Sequence, residues 1–247
     1  MLLGIVIQAR IWARRLPGKV LIDLGGETVL EHIIRRCKQV PEIDALIVAT
    51  PDLALLPIIR SYGAMPFLGD EENVLRRYIQ ACEAFKLDAC VRLTADCPFV
   101  DPGVVNKLIT HWKTGRYDYV TNISPRSYPL GLDCEIVSLK ALREIAKRTP
   151  EKKYFEHVTL FIREHPQDFR TGNMPADADY TAYEWRLDEP EDIIYLKTVY
   201  KCATSSLYPF EKVIQLLRAG KNRRILNEFR SREPRGETEG TSLIRGR

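Results

Sequence analysis

Four basic side chains fall close together near the N-terminus, on a loop that follows a short apolar run. They are Arg10, Arg14, Arg15 and Lys19. The apolar run, residues 5–7, is typical of a buried parallel strand, and Pro17-Gly18 favours a tight turn just before the lysine. Cations crowded on one loop repel one another without a counter-charge, so the pattern indicates a bound polyanion such as a triphosphate. The alternative is a solvated basic loop.

Neither of the two common phosphate-binding motifs is present in this loop. A Walker loop needs glycine where Ala13 stands and Ser or Thr where Val20 follows Lys19. A dinucleotide fingerprint needs three glycines after the strand, and the loop holds only Gly18. Side chains are therefore expected to hold most of the anion.

Two carboxylates follow predicted strands, where an open α/β sheet places its ligands. Asp96 comes after a strand at 89–93, and Asp188 after a strand at 182–187. Mg²⁺ usually takes one or two protein carboxylates together with phosphate oxygens, so the pair predicts a Mg²⁺ site beside the basic loop. The alternatives are an Asx turn before Pro98 for Asp96, and an acid that favours a helix N-terminus for Asp188.

Apolar spacing predicts alternating strands and helices through the first half of the chain, with Thr28 and Asp101 as helix N-caps. The predicted strands are 5–7, 45–49, 65–68 and 89–93, and the predicted helices are 29–37, 54–62, 73–85 and 102–114. Strand and helix in alternation are the pattern of a doubly wound, mostly parallel α/β sheet.

The pattern changes in the second half. An exposed loop at 124–137 is expected to lead into an antiparallel strand. The other predictions are strands at 117–121 and 182–187, helices at 138–148, 152–164 and 210–219, and a helix that starts within 188–192 and runs to about residue 202. We expect one domain over 1–227, with an excursion of about 124–165 for acceptor binding or dimerisation, and a polar, basic, disordered tail over 228–247.

Composition narrows the class of protein. With 247 residues, 45% of them apolar, the chain can bury a substantial core. Its six cysteines show no paired or zinc spacing, and neither a signal peptide nor a membrane span is apparent, so a cytoplasmic protein is expected. The net charge of +4 comes from residues 218–247, where nine Lys or Arg outnumber four Glu. A basic tail on a neutral body argues against nucleic-acid binding as the main function.

Five motifs occur in order over residues 4 to about 200. They are Ile7-Gln8-Ala9-Arg10 with Arg15-Leu16-Pro17-Gly18-Lys19; Val91-Arg92-Leu93-Thr94-Ala95-Asp96-Cys97-Pro98; Tyr128-Pro129-Leu130-Gly131-Leu132-Asp133-Cys134-Glu135; Phe155-Glu156-His157-Val158-Thr159; and Arg186-Leu187-Asp188-Glu189-Pro190-Glu191-Asp192. Together they resemble the cytidylyltransferases of the spore-coat-polysaccharide type, relatives of CMP-sialic acid and CMP-KDO synthetases.

The resemblance implies a glycosyltransferase-A-like nucleotidyltransferase fold, a homodimer, and Mg²⁺-dependent transfer of CMP from CTP to a sugar or sugar-acid hydroxyl in glycan biosynthesis. By position, it implies nucleotide binding by Gln8, Ala9, Arg10, Arg15, Lys19 and Arg92. Gln8 and Ala9 would lie near the base, and Arg10 and Lys19 on the triphosphate. Asp96 and Asp188 would hold Mg²⁺, so that Lys19, Arg10 and Asp96 are the implied catalytic residues.

The resemblance also implies a region that would face the acceptor or the dimer partner. Its residues are Arg126, Tyr128, Asp133, Glu135 and His157. Each of the last three has an alternative: Asp133 could hold its own loop, Glu135 could be an outward-facing strand acid, and His157 could be a structural histidine. Loops on rigid scaffolds often carry binding residues, which favours the substrate role for the loop members.

The basic loop departs from the family at Trp12-Ala13-Arg14, where relatives carry small residues such as Gly-Ser-Thr. Small residues let backbone N–H groups approach phosphate, and Arg14 partly compensates with a charged fork. Trp12 could stack on a base or pack on the core or surface. Two other functions therefore stay open: the same fold with another nucleoside triphosphate or a nucleotide-sugar donor, and a non-catalytic nucleotide-binding protein.

Overall fold

A seven-stranded sheet carries the fold in the residues that the computed structural model describes, 1–202 and 207–219. The strands are β1 (Leu3–Gln8), β2 (Ala45–Thr50), β3 (Met65–Leu68), β4 (Ala89–Thr94), β5 (Tyr119–Thr121), β6 (Glu135–Ser138) and β7 (Thr171–Asn173). They lie in the spatial order β3-β2-β1-β4-β6-β5-β7. From β1 the chain moves outward through β2 to β3 and then returns to the other side of β1 with β4, as in a doubly wound sheet.

The sheet is mostly parallel, as predicted. β1 pairs in parallel with both β2 and β4, and this register places Gln8 beside Ala49 and Thr94. β6 runs antiparallel to β4 and to β5, which confirms the predicted antiparallel strand. The carboxyl ends of β1 and β4 therefore meet at one edge, together with the start of β6.

Helices cover both faces of the sheet. They are α1 (Val29–Cys37), α2 (Leu55–Ser61), α3 (Val74–Ala84), α4 (Pro102–Thr114), α5 (Leu139–Arg148), α6 (Lys152–His157), α7 (Leu160–Glu164), α8 (Pro190–Cys202) and α9 (Phe210–Ala219). The predicted N-caps are confirmed, because Thr28 accepts a hydrogen bond from the Glu31 amide and Asp101 accepts from the amides of Gly103 and Val104.

Two apolar layers result from the alternation of side chains along the strands. Ile5 and Ile7 of β1 pack into the layer shared with α1, α2, α4, α8 and α9. Val6 packs into the other layer, with α3 and α5 to α7. Helices that approach the sheet edge from the second layer can place side chains above the ends of β1, β4 and β6.

Three sequence predictions need correction. Residues 182–187 form no strand; the segment makes a single bridge, between Glu184 and Leu130. The helix predicted at 152–164 is two short helices, since Val158 between them has a φ of 44°. The loop predicted to be exposed within 124–137 is mostly buried, since Tyr128, Leu132 and Cys134 lie in the core and only Pro125 is exposed. In addition, β7 was not predicted. The predicted tail at 228–247 lies outside the described residues.

Candidate active site

One cleft of about 620 Å³ opens at the carboxyl ends of β1 and β4. It brings together all but one of the residues predicted for the site: Gln8, Ala9, Arg10, Arg15, Lys19, Arg92, Asp96, Arg126, Asp133, Glu135, His157 and Asp188. The exception is Tyr128, which is buried in the core with its ring 5.6 Å from that of Phe210. The structure therefore places Tyr128 in the core and not in the cleft lining.

The ammonium of Lys19 lies between the two predicted metal-binding carboxylates. Its Nζ is 2.8 Å from Asp96 Oδ2 and 3.3 Å from Asp188 Oδ1. Gly18, with a φ of 75°, turns the chain into the short 3₁₀ helix that begins at Lys19. Arg15 also pairs with Asp188. Residues far apart in sequence thus form one cluster of charged side chains, with the Lys19 ammonium between its two carboxylates.

This cluster fixes the charge of its members. Burial opposes the charge of Asp96, but the adjacent Lys19 ammonium outweighs it and lowers the pKa of Asp96 to about 2. Burial likewise opposes the charge of Lys19, yet Asp96 and Asp188 raise the pKa of its ammonium. Lys19 and Asp96 therefore face each other as charged groups at neutral pH.

A second buried network lies beside Gln8. Arg92 pairs with Glu135, and its Nη2 donates to Gln8 Oε1 at 3.2 Å. The other oxygen of Glu135 accepts hydrogen bonds from the hydroxyls of Tyr119 and of Thr159, the latter at 2.8 Å. Burial opposes the charge of Glu135, but Arg92 and Arg163 together with these donors lower the pKa of its carboxyl. Glu135 is therefore an ionised, internally satisfied group.

Arg126 and Asp133 form a two-pronged pair at the cleft wall, with Nη2 2.9 Å from Oδ2. A planar guanidinium on both oxygens of a carboxylate is a geometrically specific contact. The Gly131 amide lies 3.4 Å from the other oxygen of Asp133. Asp133 therefore holds its own loop, which was its alternative role, while both side chains still line the cleft.

His157 reaches the cleft from the end of α6, just before an unusual turn. Val158 is fully buried at positive φ, and the Thr159 amide donates to the His157 carbonyl across it. A γ-turn of this sign is strained for a β-branched residue. Burial, followed by the positive charges of Arg92 and Arg163, lowers the pKa of His157. The turn aims His157 at the cleft and Thr159 at Glu135.

Several cleft residues escaped the sequence prediction. Among them are Arg77 of α3, Arg163 of α7 and Arg186 beside Asp188. Arg77 is only 2% exposed, and burial lowers its pKa. Arg77 falls on the apolar stripe of α3 with Val74 and Tyr78, and an arginine on such a stripe is the signal that could have identified it.

The described lining is strongly basic. It contains eight arginines and Lys19 against five carboxylates. Four of the arginines, Arg10, Arg14, Arg77 and Arg163, form no ion pair with any described residue. An excess of uncompensated cations in a cleft attracts and binds anions. The geometry thus suits a ligand with several negative charges.

Trp12 does not take part in the cleft. Its side chain is 70% exposed, and it is absent from the lining although its neighbours Arg10 and Ala13 are present. Asp52 anchors this turn by accepting from the Ile11 amide at 2.7 Å. Of the roles considered for Trp12, base stacking or packing on the core or surface, the structure shows a surface residue.

Comparison with known proteins agrees with this geometry. The model of the cytidylyltransferase family matches residues 4–230. The chain belongs to the cytidylyltransferase family. It is 36% identical over 211 residues to the spore coat polysaccharide biosynthesis protein SpsF of Bacillus subtilis (strain 168), covering 80% of this chain and 86% of that protein. It is 27% identical to 3-deoxy-manno-octulosonate cytidylyltransferase 2 of Hydrogenovibrio crunogenus, over 63% of this chain and 65% of the relative.

A solved cytidylyltransferase from Leptospira borgpetersenii serovar Hardjo-bovis superimposes with a TM-score of 0.87 at 27% identity, covering 92% of this chain and 97% of that one. This cytidylyltransferase therefore has the predicted nucleotidyltransferase fold. None of its helices, within the part that the structure describes, is both long and apolar enough to cross a membrane.

Proposed function

We propose that this cytidylyltransferase transfers CMP from CTP to a hydroxyl of a sugar or sugar acid and releases pyrophosphate, in polysaccharide or surface-glycan biosynthesis. The observation that carries the proposal is the basic cleft in which Lys19 joins Asp96 and Asp188. The names of two relatives support the acceptor class: one acts on 3-deoxy-manno-octulosonate, a sugar acid, and one serves spore coat polysaccharide synthesis.

The reaction asks the protein mainly for positioning and charge neutralisation. The acceptor oxygen attacks the α-phosphorus of CTP in line, the bond from that phosphorus to the bridging oxygen breaks, and the hydroxyl proton is released to solvent. Lys19, Arg10 and Arg15 lie on the loop that would offset charge on the departing pyrophosphate. Arg126, Asp133 and His157, which line the same cleft, would contact the acceptor.

The carboxylates at Lys19 suit Mg²⁺. Two carboxylate oxygens already converge on one cation there. In the described ranges, no group of three or more His, Cys, Asp or Glu is placed to hold a metal, so a metal here would rely on these two carboxylates. Mg²⁺ commonly binds through one or two carboxylates and completes its shell with phosphate oxygens and water. When bound, it would supply charge neutralisation at those phosphate oxygens. Asp96 and Asp188 would hold it, while Lys19 turned to the phosphates.

The test is calorimetric binding of CTP, UTP, GTP and ATP with and without Mg²⁺, to the wild type, to Asp96→Asn and to Asp179→Asn. Asp179 is a control because it is exposed and outside the cleft lining. We expect a Mg²⁺-dependent preference for CTP that Asp96→Asn loses and Asp179→Asn keeps. In a separate turnover assay, we expect pyrophosphate release with sugar-acid acceptors. Preference for another nucleotide would contradict the choice of CTP, and absence of binding would favour a non-catalytic protein.

Two further properties belong to the proposal. We place the enzyme in the cytoplasm because Cys37, Cys82, Cys90, Cys97 and Cys134 are buried free thiols, as a reducing compartment maintains. We also expect a homodimer, from the family resemblance. Light scattering of the purified chain measures the dimer directly, and a monomeric mass at working concentration would refute it.

A further inference from the structure

The amide of Gln8 has a fixed orientation at the floor of the cleft. Arg92 Nη2 lies 3.2 Å from Gln8 Oε1. A guanidinium has donors and no acceptor, so the atom that faces it must be the amide oxygen. The amide nitrogen, which carries two N–H donors, is therefore turned away from Arg92, and it makes no hydrogen bond with any described residue. Gln8 lines the cleft, so these donors are available to a ligand.

Arg92 is itself held by contacts with Glu135 and Tyr78. Its Nη1 pairs with Glu135, and its guanidinium lies over the Tyr78 ring, 5.9 Å from the centroid. Glu135 is 2% exposed and fixed by the hydroxyls of Tyr119 and Thr159. All described contacts of its carboxylate are with side chains of the protein, whereas the sequence prediction for Glu135 was contact with the second substrate. What it does instead is hold a cation in a single orientation.

We propose that Glu135 is a positioning residue that acts through Arg92 on Gln8, so that the Gln8 amide donates a hydrogen bond to N3 of the cytosine of CTP. The proposal rests on the function proposed above. Cytosine N3 is an acceptor and can bond to the Gln8 N–H. Uracil carries an N3–H donor, which would face the Gln8 donors with no acceptor between them. The relay Glu135–Arg92–Gln8 therefore selects CTP over UTP, since an amide free to rotate would accept from uracil as readily as it donates to cytosine.

The test is the ratio of calorimetric affinities for CTP and UTP, each with Mg²⁺, in a double-mutant cycle. Gln8→Met removes the amide at similar length, and Glu135→Gln removes the charge that holds Arg92. Each single variant should lower the CTP preference by roughly tenfold, the scale of one hydrogen bond. In the double variant, Glu135→Gln should add no further loss, because its effect passes through Gln8.

A matched control separates positioning from loss of stability. Tyr154→Phe removes a hydroxyl that donates to a different carboxylate, Glu164, at 2.7 Å, and neither residue lines the cleft. It should lower the thermal midpoint while the CTP-to-UTP ratio stays unchanged. Should Glu135→Gln fail to fold, Arg92→Lys replaces it, because an ammonium cannot bridge Glu135 and Gln8 as the planar fork does.

Three outcomes overturn the relay: an unchanged ratio in Gln8→Met, additive losses in the double variant, or a wild type that prefers UTP. Failure of the proposed function is distinguishable. A wild type that binds CTP selectively but turns over with no acceptor refutes the transfer reaction, yet its affinity ratios still decide the role of Glu135.

Discussion

Replacing Lys19 with methionine removes the ammonium from the carboxylate cluster while it keeps most of the aliphatic stem. In the wild type, Asp96 has a pKa of about 2 against an ordinary 3.8. A difference of that size corresponds to about 2 kcal/mol of stabilisation of the ionised carboxylate at neutral pH. Because a depressed pKa stabilises the fold only while the group is ionised, this contribution is present above pH 4 and is lost as the pH falls to about 2.

The assay is urea unfolding at a series of pH values between 2 and 7, with wild type and Lys19→Met side by side. We expect the variant to be less stable by about 2 kcal/mol at pH 7, with the difference shrinking towards pH 2. Lys153→Met is the control, because Lys153 is exposed although its Nζ is 3.0 Å from Glu164. Exposed pairs contribute little, so we expect Lys153→Met to leave the urea midpoint close to that of the wild type at every pH.

Turnover provides the second measurement on the same variant. Loss of one electrostatic donor commonly lowers kcat by about a hundredfold or more, and we expect that loss for Lys19→Met. A stability difference that does not change with pH would refute the electrostatic reasoning for Asp96. An unchanged kcat would refute the role of Lys19 at the phosphates.

Three further predictions concern the cleft and its surroundings. By NMR titration, the pKa of His157 should lie below 6.5, and Arg163→Met should raise it because one neighbouring cation is removed. In thermal unfolding, Gly131→Ala should cost well over 2 kcal/mol, since a Cβ there would lie 2.7 Å from the Trp185 carbonyl carbon. Gly26→Ala, at a similar φ but in open space, should cost about 1 kcal/mol. Trp12→Ala should leave turnover unchanged and shift stability by less than about 0.5 kcal/mol, because Trp12 is exposed.

Each of these has a contrary result. A pKa of His157 that stays the same in Arg163→Met would place that cation too far away to matter. Equal costs for the two glycine variants would show that the contact with Trp185 relaxes easily. A large drop in turnover for Trp12→Ala would mean that the loop closes over the ligand and that the exposed tryptophan reaches it.

The first half of the fold was predictable because its apolar periodicity and N-cap chemistry agree with each other. The strand predicted at 182–187 was wrong for a physical reason. Tyr183, Trp185 and Leu187 are buried in alternation, which looks like a strand. The backbone of this segment bonds to loops instead: the Trp185 amide donates to the Leu130 carbonyl and the Leu187 amide to the Asp96 carbonyl. Alternating apolar residues indicate which side chains are buried. Whether the segment pairs as a strand depends on which backbone groups lie beside it.

The placement of the site followed from a topological rule, that ligands gather at the carboxyl ends of strands. Asp96 was found in this way, while Lys19 was found from the crowding of basic residues on the loop after the first strand. Arg163 was not, because one arginine on a short helix looks like any solvated residue. The role of Glu135 was also out of reach, since its partners Arg92, Tyr119 and Thr159 come from three separate parts of the chain.

The salt-bridged state of Lys19 turns ligand entry into an exchange of partners. A nucleotide without a metal would draw the ammonium away from Asp96 and Asp188 and leave two carboxylates facing phosphate oxygens. A metal without a nucleotide would displace the ammonium into an already basic cleft. If Mg²⁺ binds as proposed, the metal–nucleotide complex would satisfy both sides at once, so we expect Mg²⁺ and nucleotide to bind more tightly together than either binds alone.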